Sequence, residues 1–450
     1  MGDVVWLRRD LRRADLPILG RAAESGPVTV AFVVDPPLWE TSAGSPRRGW
    51  LATTLLALRE TYEGCLTLRT GDPRTEIPRL ATEVGASAVH ISEETEPDGS
   101  ARDQDVGKAL GDVPLSSTGS PYAVTPGRVR TGSGGAYQRF TPFSTAWREH
   151  GWRAPASEPA DLALAEDLSD EKVWKVVAEA AAEPGPDQPP AGETAALERW
   201  HEFLDDHLGT YDANRDRPDL RATSGLSPYL KVGVLHPRTL LADVAGRSGK
   251  GAERFVAELA WREFYAHVLH HNPSSLWDDL RPELATMAYD DSPELVEAWR
   301  QGRTGVPLVD AGMRQLLATG WMHNRVRMVT ASFLIKHLHT RWQVGAQHFL
   351  DHLIDADLAS NRHGWQWVAG TGTDAAPYFR VFNPVLQGEK FDPDAAYIRR
   401  WIPELSGLET SQTHQPWTIE SAARNGYPEP IVDLNAERRD ALARHQAARS

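Results

Sequence analysis

The chain has 450 residues, a formal net charge of -14 and a single cysteine, Cys65. Its length exceeds what one hydrophobic core usually supports, so we expect two domains joined by connecting segments. One cysteine excludes a disulfide framework and a metal site built on several thiolates. The acidic balance argues against indiscriminate adhesion to nucleic acid, although arginines and lysines gather after residue 320 and leave room for a local basic groove.

The sequence contains no apolar run long enough to span a membrane. Residues 1–13 also lack the apolar region of a signal peptide. We therefore expect a soluble, cytoplasmic protein without a membrane partner.

Short apolar runs alternate with amphipathic stretches in the first part of the chain. Strand-like runs lie at Val4–Leu7 and at residues 28–35, 65–72 and 88–92, and helical patterns lie at residues 49–62 and 75–84. This alternation is typical of a parallel, Rossmann-like sheet. It predicts an N-terminal α/β domain over residues 1–125.

A connector over residues 126–192 and a helical domain over residues 193–450 are predicted next. The segment 183–192, EPGPDQPPAG, is dense in proline and glycine and indicates an exposed linker. Beyond it, apolar residues recur at spacings of three and four in residues 195–208, 252–269 and 312–339. We expect an all-α C-terminal domain without internal repeats.

The segment 223–233, TSGLSPYLKVG, places hydroxyl side chains, a glycine and a proline just before a helical pattern. Backbone N–H groups and short hydroxyls at a helix start can bind an anion. An ordinary helix N-cap would produce the same pattern, and both interpretations stay open at this point.

The segment 258–265, ELAWREFY, spaces Glu258 and Trp261 three residues apart, on one face of a predicted helix. A carboxylate beside an indole can bond the edge of a flat heterocycle while the indole stacks on its ring.

The segment 320–328, GWMHNRVRM, offers Trp321, Asn324, Arg325 and Arg327, which we place on a following helix. Amide and guanidinium groups are suited to reading polar edges and to holding phosphates. A structural polar cluster between helices is the alternative.

The segment 355–384 begins DADLASNRHGWQW and combines carboxylates, an Asn-Arg-His cluster and two tryptophans. Carboxylates such as Asp355, Asp357 and Asp374 are costly to bury unless donors meet them. The mixture favours a large, flat ligand with polar edges, such as a dinucleotide flavin. A tightly turned core segment rich in tryptophan is the alternative.

Taken together, these motifs resemble the photolyase/cryptochrome family, specifically a class I cyclobutane pyrimidine dimer photolyase. The resemblance runs from VVWLRRDLRRADLP at the start to TGTDAAPYFRVFNP near the end, so it covers nearly the whole chain. It implies an α/β domain joined to a helical FAD domain. It also implies light-driven DNA repair, in which excited reduced FAD gives an electron to a flipped-out dimer, without a protein nucleophile or a metal.

The resemblance assigns flavin contacts to individual residues. Arg327 and Asp355 would pair beside the isoalloxazine, Asp357 would meet its polar edge, and Asn361 would face its N5. The phosphates and ribose would be held by Tyr211, Thr223, Ser224, Leu226 and Ser227. Trp321 and Asn324 complete the expected cofactor set.

Substrate contacts follow in the same way. Glu258 would hydrogen-bond the flipped pair and Trp261 would stack on it. Asn324, Arg325 and Met328 would line the pocket, and Arg380 would contact a DNA phosphate.

The resemblance also implies a chain of aromatic residues that reduces oxidised flavin. Trp365 and Trp342 match its first two steps, but the expected outermost tryptophan falls on Tyr289. Either this tyrosine, another nearby aromatic residue or no residue completes the path. We expect slower or altered photoreduction with repair intact.

An antenna chromophore is a second point of departure from the family pattern. In the segment SEETEPDGSARD only Glu96 and the Arg102–Asp103 pair follow the pattern of folate-binding relatives. A folate, a deazaflavin and an empty site stay open.

Other functions would require different residues. A 6-4 photolyase would need a histidine in place of Asn324, and a flavoprotein that transfers electrons in the dark would need no Trp261–Glu258 face. A cryptochrome photoreceptor without repair activity is the main alternative. We expect damaged DNA as the partner, no obligate protein partner, and a monomer.

Overall fold

The computed structural model describes residues 2–36, 39, 46–182, 188–284, 286–374 and 379–449. The chain divides into two compact units. The first combines Met1–Gly209 with Ser224–Pro273, and the second combines Thr210–Thr223 with Ser274–Ser450. We predicted three consecutive segments with boundaries at residues 125 and 192. The two units are a different kind of division, so those boundaries stay a prediction.

The first unit is built on a parallel five-stranded sheet in the order β3-β2-β1-β4-β5. The strands are β1 (Val4–Leu7), β2 (Thr29–Val34), β3 (Leu66–Thr70), β4 (Val89–Ile91) and β5 (Leu115–Ser117). All four residues of β1 are buried, as expected for the central strand of a sheet covered on both faces. The α/β part of the predicted fold class is confirmed.

Among the described residues, helices account for most of the remaining structure. The first seven are α1 (Pro17–Ala23), α2 (Pro46–Thr61), α3 (Pro73–Val84), α4 (Pro97–Ala109), α5 (Phe140–His150), α6 (Glu171–Ala181) and α7 (Glu193–Glu202). Four follow in the middle of the chain: α8 (Tyr211–Asn214), α9 (Ser227–Val232), α10 (Pro237–Val244) and α11 (Lys250–His271). The last nine are α12 (Pro293–Arg300), α13 (Pro307–Thr319), α14 (Asn324–Lys336), α15 (Trp342–His352), α16 (Leu358–Ala369), α17 (Pro384–Phe391), α18 (Ala396–Trp401), α19 (Thr410–His414) and α20 (Leu434–Ala448).

Helix α3 shows how local sequence defines an element. The Asp72 carboxylate accepts from the backbone N–H of Arg74, and Pro73 occupies the first turn, where its missing N–H costs nothing. Gly85 ends the helix in the left-handed region, with φ +61°.

One predicted helix is wrong in its extent. Residues 312–339 do not form a single helix, because Gly320 adopts φ +70° and ends α13. Helix α14 then begins at Asn324, where the His323 ring accepts from the backbone N–H of Arg325. We had predicted that Trp321 lies on a helix. That prediction is wrong, because Trp321 lies between the two helices.

Two smaller differences concern the ends of patterns. In the helical stretch predicted at residues 195–208, the α-helix α7 ends at Glu202. A short π-helix, Phe203–His207, follows it directly. Strand β5 was not predicted, because its three residues are only half-buried or exposed. Residues 183–187 of the predicted linker lie outside the described residues.

The core of the second unit lies among α12 to α16 and α18. Within the described ranges, no helix is both long and apolar enough to cross a membrane.

Candidate functional site

An arginine–carboxylate pair lies in the second unit. Arg327 donates from Nη2 to Asp355 Oδ2 at 2.8 Å and from Nε to the Met322 carbonyl at 2.7 Å. The Asp355 side chain is 2% exposed and the Arg327 side chain is 23% exposed. A buried carboxylate requires such a partner, and the structure thus brings these two predicted residues together.

Asp355 retains one acceptor that could serve a ligand. Among the described residues, no group donates to its buried Oδ1 atom. A buried acceptor of this kind is costly unless a donor reaches it. The donor-bearing edge of a flavin ring would supply that donor, so the residues present fit the cofactor.

The start of α16 carries two further predicted residues. Asp357 caps the helix by accepting from the backbone N–H of Ser360 at 2.9 Å. Asn361 lies one turn later, and its Nδ2 donates to the Ala346 carbonyl at 2.9 Å. Because the amide nitrogen is engaged, the side chain offers its oxygen as an acceptor.

The first turns of α14 carry the predicted pocket residues. Asn324 is exposed, and its Nδ2 lies 4.0 Å from Met328 Sδ, so these two side chains share one face. Arg325 pairs with Asp216 at 2.8 Å, and its guanidinium lies 4.4 Å from the ring centre of Phe391. Arg325 is therefore held in place, while Asn324 faces outward.

The cap of α14 depends on a neutral histidine. Burial lowers the pKa of His323 to about 4, so the ring is uncharged near neutral pH. A neutral ring nitrogen can accept from the backbone N–H of Arg325, at 3.2 Å, whereas an imidazolium could not.

Trp342 is almost fully buried, with 1% exposure, and its Nε1 donates to Asp279 Oδ1 at 2.7 Å. Tyr289 is half-buried. Burial raises the pKa of the Tyr289 phenol, and the negative charge of Asp279 adds to the effect. Asp279 thus acts electrostatically on both aromatic residues.

Trp365, with 3% exposure, lies on α16 and packs against α15. Its ring packs edge-on against Phe349 at a centroid distance of 5.0 Å. A Cβ atom at Gly345 would lie only 2.1 Å from Trp365 Cη2, so the indole occupies space that any other residue at position 345 would fill.

In the first unit, Glu258 and Trp261 lie on α11, as predicted. The Phe140 ring stacks on Trp261 with a centroid distance of 3.8 Å and an interplanar angle of 5°. Phe140 therefore orients the indole and covers part of it. Sequence reasoning missed this residue, because it lies more than a hundred positions away along the chain.

Helix α11 is anchored by a buried carboxylate. Glu263 accepts from Trp147 Nε1 at 2.5 Å, from the backbone N–H of Ala123 at 2.5 Å and from that of Val124 at 3.1 Å. Burial raises its pKa to about 7. These bonds hold the helix against α5 and against the chain that follows the sheet.

The segment 223–233 contains the start of α9 at Ser227. The N-cap residue is Leu226, whose side chain makes no capping bond. A side-chain cap at position 226 therefore does not account for the hydroxyl residues of this segment. Arg199 Nε donates to the Ser224 carbonyl at 2.9 Å. Tyr211 and Thr223 belong to the second unit, and Tyr211 is buried.

Arg380 lies in a segment that is held by the end of α14. The Lys336 ammonium donates to the Arg380 carbonyl and lies 4.1 Å from the ring centre of Phe379. Ser332 Oγ accepts from the backbone N–H of Phe382 at 3.3 Å. Burial lowers the pKa of Lys336 to about 7. Lys336 was not predicted, although a lysine in an otherwise apolar helical stretch was a usable signal.

The residues that follow the antenna pattern form ion pairs within the first unit. Asp103 pairs with Arg8 and with Arg102, each at 2.9 Å, and Glu96 pairs with Arg9.

A parallel sheet in the first unit and a buried carboxylate with a free acceptor in the second fit a flavoprotein with an α/β part and a helical part. Residues 3–160 match the family described as DNA photolyase, and residues 255–447 match the FAD binding domain of DNA photolyase. A deoxyribodipyrimidine photo-lyase from Agrobacterium fabrum is 39% identical over 477 aligned positions, which cover 99% of this chain and 98% of that protein.

Solved structures agree with this similarity. A class III photolyase from Agrobacterium tumefaciens aligns with a TM-score of 0.90 at 37% identity, covering 99% of this chain and 97% of that one. A cryptochrome from Synechocystis aligns with a TM-score of 0.87 at 28% identity, covering 98% of each chain.

The chain belongs to the DNA photolyase family. The predictions of a photolyase enzyme, of FAD as cofactor and of a helical flavin-binding part are confirmed at this level. The assignment to class I stays a prediction, since a solved structure with high similarity is described as class III. The roles of the individual residues also stay predictions.

Proposed function

We propose that this photolyase repairs cyclobutane pyrimidine dimers in DNA by light-driven electron transfer. Fully reduced FAD, when bound and excited by near-ultraviolet or blue light, supplies an electron to the dimer and takes it back after the ring has opened. The protein itself needs to bind and orient both groups, to keep water out and to offer hydrogen bonds at chosen atoms.

Asn361 carries this proposal. Its nitrogen is held by the Ala346 carbonyl, so its oxygen is presented as an acceptor. Reduced flavin has a proton on N5, where oxidised flavin has a lone pair, and an acceptor at this position favours the reduced form. The free Oδ1 acceptor of Asp355 supports a flavin orientation in which the N–H groups of the ring point toward the protein.

The proposed substrate contacts are those that the resemblance to the family assigned. Glu258 bonds the polar edge of the dimer and Trp261 stacks on it, with Phe140 holding the indole in position. Asn324, Arg325 and Met328 line the pocket. Photolyases are among the enzymes for which extrusion of the base is the accepted route, and a dimer is already weakly stacked and paired.

The phosphate contacts are proposed at two places. Hydroxyl and backbone groups of the 223–233 segment hold the FAD phosphates and ribose, and Tyr211 belongs to the same proposed set. The residues in this set are Tyr211, Thr223, Ser224, Leu226 and Ser227. Arg380 contacts a DNA phosphate, and the bond from Lys336 to its carbonyl supports a fixed backbone at that point.

A photoreceptor function is the rival proposal, because a cryptochrome shares this fold. Asn324 and Met328 on one face of α14, together with Asn361, favour repair. We further propose that the enzyme acts in the cytoplasm as a monomer and that a folate or deazaflavin is its antenna, if one is bound.

The deciding experiment uses anaerobically reduced, FAD-loaded protein with three oligonucleotides. One carries a single thymine dimer, one carries a 6-4 photoproduct and one is undamaged. Light-dependent recovery of intact thymines from the first alone is the expected result. A reduced flavin without any recovery would overturn the repair proposal and leave the photoreceptor.

A pair of variants on α11 tests the residue assignment. Glu258→Gln should lower the dimer repaired per absorbed photon and weaken dimer binding in the dark. Glu253→Gln lies on the same helix at an exposed position and should leave both quantities unchanged. Equal behaviour of the two variants would contradict the role of Glu258.

A further inference from the structure

Trp277 is a surface tryptophan close to the buried Trp342. Its side chain is 60% exposed. The guanidinium carbon of Arg362 lies 4.6 Å from the ring centre of Trp277 and 5.9 Å from that of Trp342. The two indole centres are therefore no more than 10.5 Å apart.

The position of Trp277 is fixed by bonds to α15 and α16. Gln343 Nε2 donates to the Trp277 carbonyl at 3.2 Å. Gln366, which is fully buried, donates from Nε2 to the Ser275 carbonyl at 2.7 Å and accepts at Oε1 from the backbone N–H of Leu280 at 2.9 Å. The segment that carries Trp277 is thus attached to the same two helices that carry Trp342 and Trp365.

We propose that Trp277 is the surface electron donor that ends the photoreduction path of this chain. The inference rests on the proposed electron-transfer function. With oxidised FAD bound and photoexcited, Trp365 would give it an electron, Trp342 would then reduce Trp365, and Trp277 would reduce Trp342. The oxidised Trp277 loses its indole proton to water, and a thiol in solution returns one electron and one proton.

Tyr289 is less suited to this role, although it stands where the family pattern places the outermost tryptophan. An oxidised phenol must release its proton, and Tyr289 is half-buried. The carboxylate that acts on it, Asp279, already accepts the indole N–H of Trp342. Trp277 is exposed, so solvent can take its proton directly.

Solvent exposure of Trp277 sets the direction of the last step, although Arg362 lies closer to Trp277 than to Trp342. The positive charge of Arg362 opposes a positive charge on either indole, and Gln347 Oε1 holds this side chain in place through Nη2 at 2.9 Å. At Trp277 solvent screens that repulsion, whereas Trp342 is buried and only weakly screened, with the Asp279 carboxylate at its indole N–H. Transfer of the charge to the surface is therefore favoured.

The test compares flash-induced absorption of oxidised, FAD-loaded wild type with Trp277→Phe, Tyr289→Phe and the double variant. In wild type and Tyr289→Phe, a long-lived tryptophan radical and efficient photoreduction by a thiol are expected. In Trp277→Phe, the long-lived radical should be lost and steady-state photoreduction should fall. Phenylalanine retains a ring beneath Arg362, so the fold should be preserved, as bound-flavin absorbance and the thermal midpoint will show.

Trp401→Phe is the matched control, because that tryptophan is partly exposed and, like Trp277, has an arginine close to its ring, Arg400 at 5.2 Å from the ring centre. It should behave as wild type. A tyrosyl radical in wild type that disappears in Tyr289→Phe would overturn the proposal, and so would an unchanged long-lived radical in Trp277→Phe. Failure of the proposed function would show separately, as absence of repair by chemically reduced wild type.

Discussion

Replacing Arg327 by methionine should destabilise the protein through Asp355. The substitution removes the one side chain that, among the described residues, pairs with a carboxylate of 2% exposure, and it also removes a donor from the Met322 carbonyl. Loss of one partner of a buried ion pair costs about 3–5 kcal/mol. Because Arg327 is partly exposed, we expect the lower end, about 3 kcal/mol, against a total stability of about 5–15 kcal/mol.

A double-mutant cycle measures this interaction. Urea unfolding of FAD-free protein is followed by circular dichroism for Arg327→Met, Asp355→Asn and the double variant. The double variant should be more stable than the summed single losses predict, with a coupling free energy of about 2 kcal/mol. FAD-loaded samples run in parallel, since a ligand that binds only the folded state adds its own stabilisation. Additivity within about 0.5 kcal/mol would refute the reasoning.

Three further predictions concern other parts of the molecule. Trp261→Ala should weaken binding of dimer-containing DNA by about 1–3 kcal/mol, measured by titration in the dark. Glu263→Gln should lower the free energy of unfolding by about 2 kcal/mol, because both carboxylate oxygens accept N–H donors and an amide NH2 group would oppose one of them. Lys336→Met should remove a rise in stability with pH. With a folded-state pKa of about 7 and an ordinary value of 10.5, the unfolded state binds more protons between these values, so wild-type stability increases across that window.

Each of these predictions has its own control. For Trp261, affinity for undamaged DNA should change little, and an equal loss on both DNAs would argue against stacking on the dimer. For Glu263, a glutamine variant that unfolds thermally like the wild type would contradict the prediction. For Lys336, urea unfolding at several pH values should show a stability gain of roughly 2–4 kcal/mol in wild type alone. The same slope in the methionine variant would mean that another group titrates.

The alternation of strands and helices was predictable because buried parallel strands are short apolar runs with clear boundaries. Val4–Leu7 was predicted with its observed bounds. Strand β5 was not, because its sequence, Leu115–Ser117, has two serines and little burial. The long helix predicted over residues 312–339 failed at Gly320, since apolar spacing continues across a turn that a left-handed glycine creates.

Contacts near in sequence were easier to predict than contacts across the fold. Helical spacing placed Glu258 and Trp261 on one helix face, and resemblance to the family paired Arg327 with Asp355. The stacking of Phe140 on Trp261 and the position of Arg362 between two tryptophans had no sequence signal. They depend on where separate elements pack, which propensity and periodicity do not determine.

Helix α14 fixes the distance between two proposed binding positions, one for the lesion and one for a DNA phosphate. Asn324, at its first residue, is proposed to line the lesion pocket, and Lys336, at its last residue, holds the segment of Arg380. Thirteen helical residues span roughly 20 Å, so the distance from lesion to gripped phosphate is fixed by a single rigid rod. Inserting one residue within α14 would lengthen the rod by only about 1.5 Å but turn its far end by about 100°. The lesion contacts and the phosphate contact would then point in different directions, even with every contacting side chain still present.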